Sequence, residues 1–301
     1  MTRAEKKTKG IEKDTEQLSF AERWEIPPVT GNAVEIDALP SPIWTETKAR
    51  LIQNYLRLFL FITKHGAYID GFAGPQDKQN SDSWAAKLVL ELAPPWMKTF
   101  FLCELDRSSY ADLVSMVQGQ PGIPGRQINH RQGDFNQWVN EVLASGNVTD
   151  NTATFALLDQ RTTECHWATV EKIAAHKRGG TKVELFYFFP TGWIHRAISE
   201  TSDKSVLDAW WGDDGWKQLE GIKQDQAVSL CLKRVQSLGY RDVKSWPISS
   251  RELGAGRTMY HMIHATDHLD APKLMYRAYK NLIGNVPAGE QTQFNFDSAA
   301  E

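Results

Sequence analysis

The chain has 301 residues, of which 41% are apolar and 24% charged, and its net charge is −3. These values are ordinary for a globular protein and exclude a collagen-like chain. The net charge excludes a globally basic nucleic-acid-binding protein, although it leaves room for a local basic patch. Three scattered cysteines make neither a disulfide framework nor a zinc-ligand pattern, and no apolar run approaches the roughly 18 residues of a membrane span. We therefore expect a cytoplasmic protein with no membrane segment and no metal site.

The first half of the chain alternates between helical and strand-like patterns. Residues 1–43 predict a flexible tail and an extended lead-in, and apolar residues at helical spacing then predict a helix up to His65. Amphipathic stretches separate short apolar runs, which predict strands near residues 67, 98, 127, 153 and 183. Such strands, alternating with helices, indicate a mostly parallel sheet with helices on both faces. We therefore predict an α/β fold with its core in residues 44–200.

The second half of the chain fits this alternation less well. Residues 201–250 contain the run AWWGDDGW and predict a small Trp-rich insertion, whose rings could stack on bases, form a satellite core or make a protein interface. Residues 251–286 predict a final strand and helix of the core. Residues 287–301 predict a loose tail.

Four of the predicted strands end in a carboxylate, at Asp70, Glu104, Asp134 and Asp159. A single acid in this position is typical of a helix N-cap. In an open α/β sheet, however, ligands bind outside the carboxyl ends of the strands. Together with the glycine-containing turn after the first strand, the four acids predict a site for a nucleoside-containing cofactor.

The glycines of that first turn narrow the choice of cofactor. Gly71 and Gly74 do not form the G-x-G-x-x-G pattern of a dinucleotide site, and the chain has no P-loop motif. A pyrophosphate is therefore disfavoured. S-Adenosylmethionine carries no phosphate, and its ammonium and sulfonium charges are compatible with acidic strand ends.

The order of motifs between about residues 40 and 285 resembles the three-Cys-motif partner (TcmP) family. The motifs that carry the resemblance are Trp44–Lys48, Tyr68–Pro75, Phe101–Glu104, Gly133–Asn136, Leu158–Asp159 with Trp167, Gly212–Trp216 and Tyr260–Ile263 with Ala265–His268. That family is similar to Rossmann-like class I methyltransferases. The resemblance therefore implies such a sheet, S-adenosylmethionine as cofactor, and a bacterial protein partner that bears a three-cysteine, radical-enzyme-like motif. The usual gene neighbourhood implies a role in nucleic-acid processing, such as phage defence.

The resemblance also implies roles for individual residues. Glu104 holds the ribose and Asp134 the adenine, and Asp159 begins the catalytic motif and positions a nucleophilic amine or hydroxyl. Independently of the resemblance, the guanidinium of Arg161 can bind a phosphate or carboxylate. The full cofactor-binding set is Asp70, Gly71, Phe72, Ala73, Gly74, Glu104, Asp134 and Phe135, and the catalytic set is Asp159, Gln160 and Arg161.

The sequence departs from the family at two positions. Gln76 stands where a glycine is usual, and Gln160 stands where a proline follows the catalytic acid. These departures leave a second hypothesis open, a non-catalytic Rossmann-like partner subunit that has lost methyl transfer. An open, acid-lined pocket at the strand ends favours the methyltransferase, and a plugged one favours the partner subunit.

Overall fold

The centre of the fold is an eight-stranded sheet. The computed structural model describes residues 43–44, 47–78, 80–249 and 258–284. The strands are β1 (Ile43–Trp44), β2 (Gly66–Asp70), β3 (Met97–Glu104), β4 (Gln127–Gln132), β5 (Thr154–Leu158), β6 (Glu184–Phe189), β7 (Asp242–Ser249) and β8 (Thr258–Thr266). The helices are α1 (Lys48–Thr63), α2 (Ala85–Leu90), α3 (Arg107–Gln118), α4 (Phe135–Ala144), α5 (Trp167–His176), α6 (Ile194–Glu200), α7 (Lys204–Trp211), α8 (Gln224–Gln236) and α9 (Ala271–Gly284).

The strands follow the order β1-β7-β8-β6-β5-β2-β3-β4 across the sheet. Strands β2 to β6 pair in parallel, and β1 is parallel to β7. Among the described strands, only β8 runs antiparallel to its neighbours, β6 and β7. Helical crossovers connect the parallel strands, as parallel pairing requires. The sheet is therefore mostly parallel with helical crossovers, and the predicted α/β fold class is confirmed.

The apolar runs of the sequence are strands that both faces of the sheet bury. Every residue of β2, β5 and β6 is buried. In β5, Phe155 and Leu157 join one core cluster, with α1 and α9, whereas Ala156 and Leu158 join another, with α4 and α5. Because successive side chains of a strand point to opposite faces, a continuous apolar run supplies both layers.

Residues 201–250 differ from the Trp-rich insertion that we predict. Helices α7 and α8 lie in the crossover from β6 to β7, and β7 itself is a strand of the main sheet. Trp210 and Trp216 are 1% and 3% exposed and belong to a core cluster, so that neither ring is available to stack on a base. Strand β7 escapes the pattern analysis because it is only half-buried over most of its length.

Some predictions fall outside the described residues, among them the tails 1–42 and 287–301 and most of the stretch before β8. Of the predicted lead-in, Ile43 is described; together with Trp44 it forms β1, which pairs with β7. The predicted domain boundaries therefore stay predictions. None of the described helices combines the length and apolar character needed to cross a membrane.

Candidate functional site

An open cavity of about 470 Å³ lies at the carboxyl ends of β2 to β5. Its volume falls within the range of about 300–1,000 Å³ that is usual for small-molecule sites. The turns after all four strands contribute to its wall. The predicted site residues that line it are Gly71, Phe72, Gly74, Glu104, Asp134, Phe135, Asp159 and Arg161.

The turn after β2 is tight because other side chains occupy the space beside its glycines. A Cβ on Gly71 would lie 2.6 Å from the ring of Phe135. The turn is also fixed by hydrogen bonds, from the Phe72 amide to Asp70 Oδ1 at 3.1 Å and from the Ala73 amide to the Cys103 carbonyl at 2.7 Å. The backbone of this turn is therefore held in place at the cavity wall.

Glu104, at the end of β3, is held by two backbone amides. The Gly74 amide donates to Oε2 and the Asp106 amide donates to Oε1, each at 2.8 Å. A Cβ on Gly74 would lie 2.1 Å from Oε2, so that only glycine fits against this carboxylate. Each carboxylate oxygen can accept a second hydrogen bond. Glu104 can therefore accept from two neighbouring hydroxyl groups in the cavity.

One carboxylate oxygen of Asp134 caps helix α4, and the other oxygen takes no part in the cap. Its Oδ1 accepts from the backbone amide and from the side-chain Nδ2 of Asn136, both at 2.8 Å. Its Oδ2 has no donor among the described residues, and Asp134 lines the cavity. Asp134 can therefore cap the helix and still accept a hydrogen bond from the cavity. Phe72 and Phe135 lie beside it with ring centroids 6.5 Å apart, and Leu105 is 63% exposed at the rim.

Asn136 is a structural residue of the site that the sequence analysis did not identify. Its Nδ2 also donates to the Glu164 carbonyl, and its Oδ1 accepts from the His166 amide and from the Thr169 hydroxyl, each at 2.8 Å. The side chain therefore joins the turn after β4 to the loop after β5. The signal that could identify it is its place directly after Asp134 and Phe135, in a motif that the sequence analysis already assigns to the site.

Asp159, at the end of β5, is held by two residues to which the sequence analysis gave no role in the site. Lys48 Nζ lies 2.5 Å from Asp159 Oδ2, and Gln76 Nε2 donates to the same oxygen at 2.7 Å. Lys48 and Asp159 are only 2% and 6% exposed. Burial lowers the pKa of Lys48, but the Asp159 carboxylate and Tyr260 together raise it by more than burial lowers it. The pKa of Lys48 therefore lies above its ordinary value. This lysine therefore carries a charge at neutral pH.

Gln160 and Arg161 have different surroundings. Gln160 is 1% exposed and does not line the cavity, because its Nε2 donates to the Phe188 carbonyl at 3.2 Å and its Oε1 accepts from the Cys165 amide at 2.7 Å. The Arg161 amide donates to Glu164, and its exposed guanidinium lies at the cavity with no partner among the described residues. Gln160 thus braces the loop, and a catalytic role for it stays a prediction.

Asp70 and Ala73 lie behind the turn, at a smaller neighbouring cavity that Asp159 also lines. Asp70 is 1% exposed, and Tyr68 donates its hydroxyl to Oδ2 at 2.9 Å. Burial raises the pKa of Asp70 to about 7; the hydrogen bonds from Phe72 and Tyr68 act in the opposite direction, and the charges of Asp159 and Glu104 add to the rise.

No family model matches this chain, and no curated protein matches it. Among solved structures, it is similar to a Legionella pneumophila protein of family DUF519, with 9% identity, a TM-score of 0.49, and coverage of 80% of this chain and 91% of the other. It is also similar to two Pyrococcus horikoshii proteins. One is a candidate transferase, with 12% identity, a TM-score of 0.35, and coverage of 72% and 63%. The other is TYW2 in complex with MeSAdo, with 14% identity, a TM-score of 0.36, and coverage of 74% and 62%.

This chain spans less than two thirds of the length of either archaeal protein. At these identities and TM-scores, the likenesses support no statement about ligands or chemistry. Membership of the TcmP family stays a prediction.

Proposed function

We propose that this protein binds S-adenosylmethionine in the cavity at the ends of β2 to β5 and transfers its methyl group to an acceptor beside Asp159. The observation that carries the proposal is the pair Glu104 and Asp134. Both carboxylates line one cavity from adjacent strands, are fixed by amides, and keep acceptor capacity toward the cavity. Glu104 suits the two hydroxyls of a ribose, and Asp134 Oδ2 suits the amino group of an adenine.

The charge of the cavity wall also favours this ligand over a nucleotide. Five of the described lining residues are acidic, namely Glu104, Asp106, Asp134, Asp159 and Glu164. Arg161 is the one arginine or lysine among the described lining residues. Such a wall repels phosphate groups and attracts cations. S-Adenosylmethionine supplies, when bound, an electrophilic methyl group on a positively charged sulfur. The wall can hold that cation without a phosphate-binding loop.

The residues of the chain then act mainly by alignment. The fixed turn Gly71–Gly74 lets the backbone approach the ligand, and Phe72, Phe135 and Leu105 offer apolar surface to its flat base. Asp159 lies at the same cavity and can accept a hydrogen bond from the acceptor. Holding the donor and the acceptor in a reactive orientation supplies much of the rate in such displacements.

An open, acid-lined cavity favours this function over the non-catalytic subunit. A partner with a three-cysteine motif and an acceptor derived from nucleic acid form the finer part of the proposal, and they rest on the resemblance alone. A location in the cytoplasm is also part of the proposal and rests on the scattered cysteines of the sequence. Reading the genes beside this one tests the partner, since the proposal expects a neighbour that encodes three clustered cysteines.

Calorimetric titration with S-adenosylmethionine and S-adenosylhomocysteine tests the site. We expect micromolar binding to the wild-type protein. Glu104→Gln and Asp134→Asn are expected to weaken it at least tenfold, because hydrogen bonds to charged groups are worth about 1.5–3 kcal/mol each. Asp214→Asn, an exposed acid away from the cavity, is the matched control and should bind as the wild type does. Absence of binding at millimolar ligand in a folded protein would refute the proposal.

A further inference from the structure

A buried lysine lies against the acid at the reacting end of the cavity. Lys48 begins helix α1, and its ammonium is in contact with Asp159 Oδ2 although 111 positions separate the two residues in the chain. Burying an ion pair removes two charges from water, and this cost can exceed the attraction between them. Stability alone is therefore a weak reason for placing such a pair in the wall of a cavity.

The geometry of the pair leaves one carboxylate oxygen unused. Lys48 and Gln76 both donate to Asp159 Oδ2, and Lys48 also donates to Gln76 Oε1 at 3.1 Å, which closes a ring of three side chains. Asp159 Oδ1 is buried and has no hydrogen-bond partner in the part of the chain that the structure describes. A buried carboxylate oxygen without a donor is costly, and a ligand that brings an N–H or O–H group relieves that cost. Asp159 lines the large cavity, where such a ligand enters.

We propose that Lys48 is a positioning residue that fixes Asp159 by one oxygen, cancels its charge toward the cavity, and so makes the site selective for a neutral N–H or O–H methyl acceptor. This inference rests on the proposed function. The charge of Lys48 balances that of Asp159, so that the pair offers an acceptor oxygen without a net charge to hold an ammonium group.

A neutral acceptor also meets the needs of the reaction. The lone pair of the acceptor nitrogen or oxygen forms the new bond to the methyl carbon, and the carbon–sulfur bond breaks with its electron pair passing to sulfur. The acceptor then loses its proton to water in the open cavity. A protonated amine has no lone pair with which to attack, so a site without net charge at Asp159 avoids holding the unreactive form.

The ratio of the dissociation constants of S-adenosylmethionine and S-adenosylhomocysteine measures the charge near the sulfur. The two ligands differ in one methyl group and one positive charge. Lys48→Met leaves the Asp159 charge unbalanced, and we expect the ratio to shift about tenfold or more in favour of S-adenosylmethionine. Asp159→Asn leaves Lys48 unbalanced and should shift the ratio by a similar factor in the opposite direction. The double variant Lys48→Met, Asp159→Asn should return the ratio to within about threefold of the wild-type value.

Lys217→Met is the matched control, because it breaks an ion pair with Asp214 that is exposed to solvent and screened. Its ratio should equal that of the wild type. If Lys48→Met does not fold, Asp159→Asn and the double variant still show whether the ratio of dissociation constants shifts in the expected direction. Unchanged ratios in these variants, with both ligands still bound, would overturn this inference and leave the proposed function intact. Failure of the wild type to bind either ligand would overturn the proposed function itself. Methyl transfer by the wild type to spermidine, whose amines are protonated at neutral pH, would also overturn the inference.

Discussion

Replacing Asp70 by asparagine should stabilise the protein, and the gain should grow with pH. Burial is the main reason why the pKa of Asp70 rises from 3.8 to about 7. A difference of this size corresponds to about 4 kcal/mol between the two protonation states. Asparagine keeps the shape and both hydrogen bonds, since its carbonyl can accept from the Phe72 amide and its NH₂ group can donate to the Tyr68 hydroxyl.

The direction in which the free energy of unfolding changes with pH depends on whether the folded or the unfolded chain holds the Asp70 proton. Between pH 4 and pH 7 the folded protein keeps the Asp70 proton that the unfolded chain has already lost, so the free energy of unfolding of the wild type falls as the pH rises through this window. The variant has no such proton. The stability difference between Asp70→Asn and the wild type should therefore grow by about 3 kcal/mol between pH 5 and pH 8.

Urea unfolding of both proteins at pH 5, 6, 7 and 8 measures this difference directly. Subtracting the wild-type values removes the contributions of all other titrating groups. Asp214→Asn, at an exposed acid, serves as the control and should show no trend. A stability difference that stays constant across the four pH values would show that the buried carboxyl keeps its ordinary pKa, and it would refute the reasoning.

Three further variants and one chemical probe test other parts of the structure. Gly74→Ala should abolish ligand binding in calorimetry, because its methyl group would lie against Glu104, whereas Gly122→Ala, with open space around its Cβ, should bind normally. Asn136→Ala should lower the free energy of urea unfolding by about 2 kcal/mol, because the buried Thr169 hydroxyl and the half-buried Asp134 carboxylate each lose a hydrogen bond; an unchanged midpoint would contradict its joining role. Burial raises the pKa of each thiol, so a disulfide reagent at pH 8 should modify none of them before denaturant is added, and rapid labelling of the native protein would show that the burial is wrong. The thiols are those of Cys103, Cys165 and Cys231.

The strands and helices that could be predicted were those with a strong local pattern. The runs at β2, β3, β5 and β6 are rich in apolar residues because both faces of the sheet bury most of their positions. The sequence pattern does not predict strand β7 because its half-buried positions dilute the apolar signal, and the predicted insertion therefore covers both β7 and helices α7 and α8. Trp210, Trp211 and Trp216 look like a separate unit in the sequence, but in the fold they belong to the same core cluster as Phe189.

Within the site, too, some features follow from local sequence patterns and others from how distant parts of the chain pack. The sequence by itself determined that several strands end in a carboxylate, and the parallel sheet then brought Glu104, Asp134 and Asp159 to one cavity, because the carboxyl ends of parallel strands share an edge. The directions in which the neighbouring side chains face depend on how distant elements pack together. The tertiary structure turned Gln160 into the core to brace a loop, and it placed Lys48, from a helix far away in the chain, against Asp159. Such contacts depend on how a helix packs across the sheet, and no local periodicity or spacing records that packing.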